Sequence, residues 1–154
     1  MRQRAAQLRL NAGSSRFCEI ALGILPMLVN LRDVFWISLG AVAGANMRYA
    51  VSRLAAQHIS SSLPYGTLLV NVTGSFVIGL FLIWTTERVL ADAHWRFVVA
   101  IGFCGSYTTF SSYAFETLQL FEQGHYSLAC TNFLANNLAC LIAVLAGAIV
   151  ARAL

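Results

Sequence analysis

The sequence predicts an all-α membrane protein of four transmembrane helices with a break in the third. Three observations carry that prediction. Of the 154 residues, 58% are hydrophobic and only 10% are charged; a soluble domain covers its wet surface with about 25% charged residues. The apolar residues gather into four blocks, and four crossings of about 20 residues each fit easily within the chain. The third block is interrupted by glycines and a threonine pair, weak helix formers at membrane depth. Length allows one domain; no soluble domain, long linker or internal repeat stands out.

Residues 1–32 read as an N-terminal extension, disordered or interfacial, and residues 33–154 as the four-helix membrane domain. Arg2, Arg4, Arg9, Arg16 and Arg32 precede the first apolar block, and lysine is absent from the whole chain. Such a basic end usually faces the cytoplasm. Ile20–Leu25 is too short to span, and no small-residue cleavage site follows it to complete a signal peptide. Met27, just ahead of the ordered pattern, is a candidate start beside Met1.

The first span covers about 34–54. It carries Gly40 and Gly44 in the G-x-x-x-G spacing that lets helices approach closely, then turns polar through Asn46, Arg48, Ser52 and Arg53. The serine-rich stretch ending at Pro64 breaks the chain. The second span, about 65–85, holds Asn71 in otherwise apolar sequence, with Gly74 and Gly79 beyond it. Glu87, Arg88, Asp92, His94 and Arg96 make the next loop. The third span, about 97–120, contains Gly102-Phe103-Cys104-Gly105-Ser106-Tyr107-Thr108-Thr109-Phe110-Ser111-Ser112-Tyr113. Irregular backbone at that depth is tolerated only where protein or a polar cavity covers it. The fourth span, about 126–150, carries Asn132, Asn136 and Asn137, the first two on one helix face.

Several function classes have no residues to work with. No H-E-x-x-H, G-x-S-x-G or Walker loop is present, and there is no acidic pair. The protein is not expected to be an enzyme. No basic stripe or aromatic-interleaved patch suits nucleic acid. His58, His94 and His125 fall in predicted loops, where solvation is expected. Cys18, Cys104, Cys130 and Cys140 form no C-x-x-C and read as small buried apolar residues, with a metal or disulfide site as the alternative.

What the membrane blocks do contain is neutral and polar: Asn71, Thr73, Ser75, Thr108, Thr109, Ser111, Ser112, Tyr113, Asn132, Asn136 and Asn137, with Arg48 and Glu116 added. Amides and hydroxyls donate hydrogen bonds without carrying charge. A file of such donors suits a small, strongly hydrated anion, because it replaces water and still lets the ion leave. Hydrogen bonding between helices is the competing role. Phe110 and Tyr113, three apart on one face, offer positive ring edges to an anion, or simply pack. Arg48 is either a functional charge at depth or a snorkelling one. Glu116 is open to the same two readings.

Three motifs in order then resemble a known family. Gly44-Ala45-Asn46-Met47-Arg48-Tyr49 resembles the G-A-x-x-R-[YW] element of the Fluc (CrcB) fluoride channels. Gly66-Thr67-Leu68-Leu69-Val70-Asn71-Val72-Thr73-Gly74-Ser75-Phe76 resembles their G-T-L-x-[VA]-N-x-x-G-[SA]-F. Gly102-Phe103-Cys104-Gly105 followed by Thr108-Thr109-Phe110-Ser111 resembles their G-[FC]-C-G-G-x-T-T-F-S-[ST]-F, and Asn132 is similar to an asparagine early in their last helix. The match covers about residues 34–150.

The resemblance implies an antiparallel dual-topology homodimer in the bacterial inner membrane, multi-pass, with the lipid bilayer and fluoride as its other partners. It implies a fluoride-selective channel that exports F⁻ passively. Asn71 would coordinate fluoride; Phe110 and Tyr113 would present ring edges; Thr109, Ser111 and Ser112 would supply hydroxyls. We add Asn136 to this pore set. Arg48 and Glu116 would stand at the entrance. Backbone carbonyls of Gly105 and Thr108 would hold a structural Na⁺ at the dimer interface, as suits a hard cation. Two positions depart from the family. Tyr113 replaces the usual Phe, its hydroxyl either a donor to fluoride or an obstruction. Ser106 replaces a Gly and would stiffen the break. The competing functions are a small multidrug-type four-helix transporter, which needs a central carboxylate in its first helix where this chain offers only Glu116, and a non-transporting membrane assembly factor.

Overall fold

The computed structural model describes residues 30–59, 61–87 and 92–154. The chain divides into two units, Met1–Val34 and Phe35–Leu154, and the account below concerns the second. The expectations for the extension, for Cys18 and for Arg88 lie outside the described residues.

Every regular element among the described residues is helical. These are α1 (Leu31–His58), α2 (Tyr65–Glu87), α3 (Ala93–Trp95), a π-helix π1 (Arg96–Cys104), α4 (Gly105–Tyr107), α5 (Phe110–Glu122) and α6 (Tyr126–Ala153). Two of them, α2 and α6, are long and apolar enough to cross a membrane on length and composition alone. Only 11% of the apolar window of α6 is buried within the protomer. A soluble core helix would be covered on that face, so α6 is a helix for lipid or for another chain. α1 is as long but carries Arg32, Asp33, Arg48 and Arg53.

Helix direction follows from close contacts. A Cβ on Gly79 would meet the Val144 carbonyl, and one on Gly147 the Phe76 carbonyl. Beyond them Arg152 Nε reaches Glu87 Oε1 at 3.3 Å. Asn71 meets Asn136, Gly79 meets Val144 and Glu87 meets Arg152; over that length the residue numbers rise together, so α2 and α6 run parallel, and the chain from Glu87 to Tyr126 must return the full length between them. α1 packs on π1 in the same sense: Gly40 lies against Val98 and Gly44 against Phe103, backbone on backbone. The G-x-x-x-G spacing therefore does what it suggests. A nine-residue π-helix is unusual, and nothing in the sequence announced it.

The third stretch changes conformation twice. Thr108 (φ −79°, ψ 159°) and Thr109 (φ −151°, ψ 114°) are extended, separating α4 from α5. Thr109 caps α5: its hydroxyl accepts from the Ser112 N–H at 3.1 Å, the bond that favours threonine at a helix N-cap. α5 ends as cleanly. Gly124 has φ 78°, its N–H donates to the Phe121 carbonyl and the His125 N–H to the Leu120 carbonyl. That pair of bonds closes a helix through a left-handed glycine.

Two expectations are corrected. His94 is not a solvated loop residue: it lies in α3, stacks on Trp36 with centroids 5.5 Å apart, and its Nδ1 is buried. Cys104 is buried, but Cys130 is exposed and Cys140 half-buried, so burial explains the first alone.

Candidate functional site

The extended pair Thr108–Thr109 leaves backbone groups that an unbroken helix would satisfy. Asn71, on α2, supplies the missing partner. Its Oδ1 accepts from the Thr109 N–H at 2.8 Å and its Nδ2 donates to the Thr109 carbonyl at 3.1 Å. The carboxamide thus pairs with one residue as a neighbouring strand would. Asn71 is 8% exposed, and an unpaired peptide group at that depth costs about 1–3 kcal/mol.

The second Asn71 hydrogen goes to Asn136 Oδ1 at 3.0 Å. Asn136 donates in turn to Asn132 Oδ1 at 3.0 Å and to the Asn132 carbonyl at 3.1 Å. Asn132, fully buried, donates to Thr117 Oγ1 at 2.8 Å, and Thr117 to the Tyr113 carbonyl at 2.8 Å. All donors point the same way along this chain, and aligned hydrogen bonds polarise and strengthen one another. Both amide hydrogens of Asn71 and of Asn136 are committed. Asn71 is a clamp on the Thr109 backbone as well as a member of the expected pore set.

The clamp frees two other groups. In an unbroken helix the Thr109 N–H would donate to the Gly105 carbonyl and the Ser112 N–H to the Thr108 carbonyl. Here those N–H groups go to Asn71 Oδ1 and Thr109 Oγ1. The Gly105 and Thr108 carbonyls are released from the helical ladder.

Around this centre lie two cavities. One, of about 600 Å³, is lined by Asn71, Gly105, Thr108, Thr109, Phe110, Tyr113 and Asn136 among others. The other, of about 880 Å³, is lined by Arg48, Thr67, Thr109, Ser111, Ser112 and Glu116 among others. The sequence-predicted residues are thus divided between the two, and only Thr109 belongs to both. Its hydroxyl donates to Ser112 Oγ at 3.1 Å and meets Ser111 Oγ at 3.2 Å. Phe110 is 76% exposed, so the cavity wall it forms is open. The Phe110 and Tyr113 rings meet edge to face, centroids 5.3 Å apart.

At the second cavity, Glu116 Oε1 accepts from Thr67 Oγ1 at 2.6 Å, while Oε2 is buried with no partner among the described residues. Arg48 is half-buried on the same wall. Sequence reasoning missed Thr67, Thr117 and Tyr107, whose hydroxyl meets Thr73 Oγ1 at 2.9 Å. Thr67 was findable, since it sits four residues before Asn71 on the same face. The partners of Thr117 and Tyr107 are set by tertiary packing, with no local signal.

Comparison with known proteins bears on this arrangement. Residues 35–148 match the model of the family described as CrcB-like protein, Camphor Resistance (CrcB). A Koribacter versatilis protein named fluoride-specific ion channel FluC is 57% identical over 121 residues, covering 78% of this chain and 96% of that protein. A Sulfurihydrogenibium protein of the same name is 42% identical, covering 77% and 95%. One from Coxiella burnetii is 41% identical, covering 79% and 99%. With the family model spanning both cavities and these relatives matched over nearly their whole length, the chain belongs to the CrcB family.

Proposed function

We propose that this chain is a fluoride-selective ion channel of the membrane, passing F⁻ passively so that cytoplasmic fluoride falls. The observation that carries the reading is the pair of cavities that share Thr109, a largely apolar one into which hydroxyls and amides are set and a polar one lined by hydroxyls and an arginine. The names of its relatives support it. Neutral donors replace the water around a small anion without holding it too tightly. HF entering from acidic surroundings ionises inside the cell. The anion then leaves down its gradient, helped by an inside-negative potential worth about 2.3 kcal/mol per charge per 100 mV.

In this reading the chain crosses the bacterial inner membrane four times and pairs as an antiparallel dual-topology homodimer. The exposed Phe110 ring and the outward face of α6 support a second chain on that side. Arg48 and Glu116 stand at the entrance, drawing the anion in and limiting its stay. Thr109, Ser111 and Ser112 hand it on toward Asn71, Phe110, Tyr113 and Asn136. Thr108 and Thr109 form the break in the third span, and the carbonyls they release fit a hard cation. Gly105 and Thr108 of both subunits would hold a structural Na⁺, which would tie the two breaks together by oxygen coordination.

The test is direct. Purified protein in liposomes loaded with fluoride should release it to an external fluoride electrode, and chloride-loaded liposomes should retain their ion. A non-transporting assembly factor would release neither. A proton-coupled transporter would need a pH gradient and would depend on Glu116.

A further inference from the structure

Position 113 carries a hydroxyl where the family pattern has a bare phenyl ring, and its surroundings say which way that hydroxyl is used. Tyr113 is 5% exposed. Its Oη lies 2.9 Å from Asn137 Nδ2. The same nitrogen donates to the Phe133 carbonyl at 2.7 Å. A carbonyl can only accept, so the atom facing it is the amide nitrogen and not the amide oxygen. At Tyr113, therefore, the phenolic oxygen accepts. Its own hydrogen stays available, and among the described residues no acceptor is paired with it. Tyr113 and Asn137 both line the 600 Å³ cavity. There the amide hydrogens of Asn71 and Asn136 are already committed.

We propose that Asn137 is a positioning residue: by donating into Tyr113 Oη it turns the phenolic O–H toward the cavity and makes Tyr113 a hydrogen-bond donor to the transported anion. The proposal rests on the channel reading above and adds a specificity-determining group to it. A hydroxyl that accepts one hydrogen bond becomes a stronger donor in the next. Fluoride, the smallest and strongest acceptor among the halides, gains more from such a donor than chloride does. A ring edge offers a weaker attraction that separates the two less.

The experiment measures fluoride efflux from proteoliposomes against fluoride concentration, using full-length protein verified as an intact oligomer by size exclusion. Tyr113→Phe should raise the half-saturating concentration about tenfold or more, the scale of one hydrogen bond to a charged partner. The maximal rate should hold or rise, because an ion held less tightly leaves sooner. Asn137→Leu should raise half-saturation in the wild-type background and change nothing further in Tyr113→Phe. A merely structural Asn137 would instead act equally in both backgrounds, and that result overturns the proposal. So does an unchanged half-saturation in Tyr113→Phe. Should Tyr113→Phe fail to fold, Tyr113→Met carries the test: it removes the hydroxyl, so half-saturation should rise and Asn137→Leu should add nothing in that background; a further rise there overturns the proposal. Absence of fluoride efflux from wild-type protein overturns the channel reading itself, and the proposal with it.

Discussion

Replacing Asn71 by Asp changes one atom's hydrogen-bonding role while keeping the side chain's shape, which makes the substitution a sharp probe of the centre. The retained oxygen still accepts from the Thr109 N–H. The former Nδ2 becomes an oxygen facing the Thr109 carbonyl at 3.1 Å and Asn136 Oδ1 at 3.0 Å. Two donating contacts become oxygen against oxygen. At about 1–3 kcal/mol for each buried acceptor left unpaired, the local cost is about 2–6 kcal/mol. A second effect falls on the ion. A carboxylate about 4 Å from fluoride, at an effective dielectric near 20, repels it by roughly 4 kcal/mol, or about three decades at 1.36 kcal/mol per tenfold. We therefore expect efflux to drop by about a thousandfold, with a lowered thermal midpoint. Asn71→Leu separates the two contributions, since it loses the same bonds without adding a charge, and its efflux should exceed that of Asn71→Asp. A folded Asn71→Asp protein, with the oligomeric state of wild type, that conducts within threefold of it would falsify both the clamp and the place of Asn71 beside the ion.

Four further outcomes follow from the same geometry. Phe110→Ile should abolish most fluoride efflux although conservative apolar swaps usually cost under about 1.5 kcal/mol of stability, because an aliphatic chain has no ring edge to offer; unchanged efflux would reassign Phe110 to packing. Gly147→Val should unfold the protomer or sharply lower its yield, since even a Cβ would lie 2.8 Å from the Leu80 backbone nitrogen; a normal melting curve would refute the close α2–α6 contact. Replacing Na⁺ by a large organic cation should lower the thermal midpoint of wild type, through the loss of about 2.7 kcal/mol of stability if the cation had been present at a hundred times its dissociation constant; identical melting in both salts argues against the proposed sodium site. Cysteine tags at the termini of protein started at Met27 should be labelled from both sides, because the four spans read from the sequence set Arg32, Arg88, Arg96 and Arg152 against only Arg48 and Arg53, a weak bias for orientation; one-sided labelling would exclude dual insertion.

Much of this was legible before any coordinates. Composition and four apolar blocks marked the helical stretches, because burial in lipid demands long apolar runs with satisfied backbone. Gly40 and Gly44 pointed to close packing through their spacing. The Gly102–Tyr113 run pointed to irregular backbone, and the extended residues are Thr108 and Thr109. The π-helix left no trace in the pattern, because no residue type or spacing in Arg96–Cys104 distinguishes widened turns from ordinary ones. The site was legible as a set of residue types and not as a circuit. Asn71, Asn136 and Asn132 could be named, but which amide donates to which oxygen depends on distances across three elements. That direction decides which groups still have a hydrogen to offer. The same limit hid the use of Tyr113, whose hydroxyl reads as donor or obstruction until Asn137 is placed beside it.

The Asn71–Thr109 pairing joins residues 38 apart in sequence, and that order matters during synthesis. Asn71 leaves the ribosome ahead of Thr109. When the extended pair enters the bilayer its hydrogen-bonding partner is already there, so peptide groups that lipid would penalise are met on arrival. Asn136 and Asn132 come later and close the chain of amides from the other side. Whatever yield an Asn71 variant loses should accordingly be lost early, as protein that inserts and is then degraded, whereas an Asn132 variant should insert normally and lose yield at final packing. The two kinds of failure can be told apart by whether nascent chains ending just after α5 resist protease in isolated membranes.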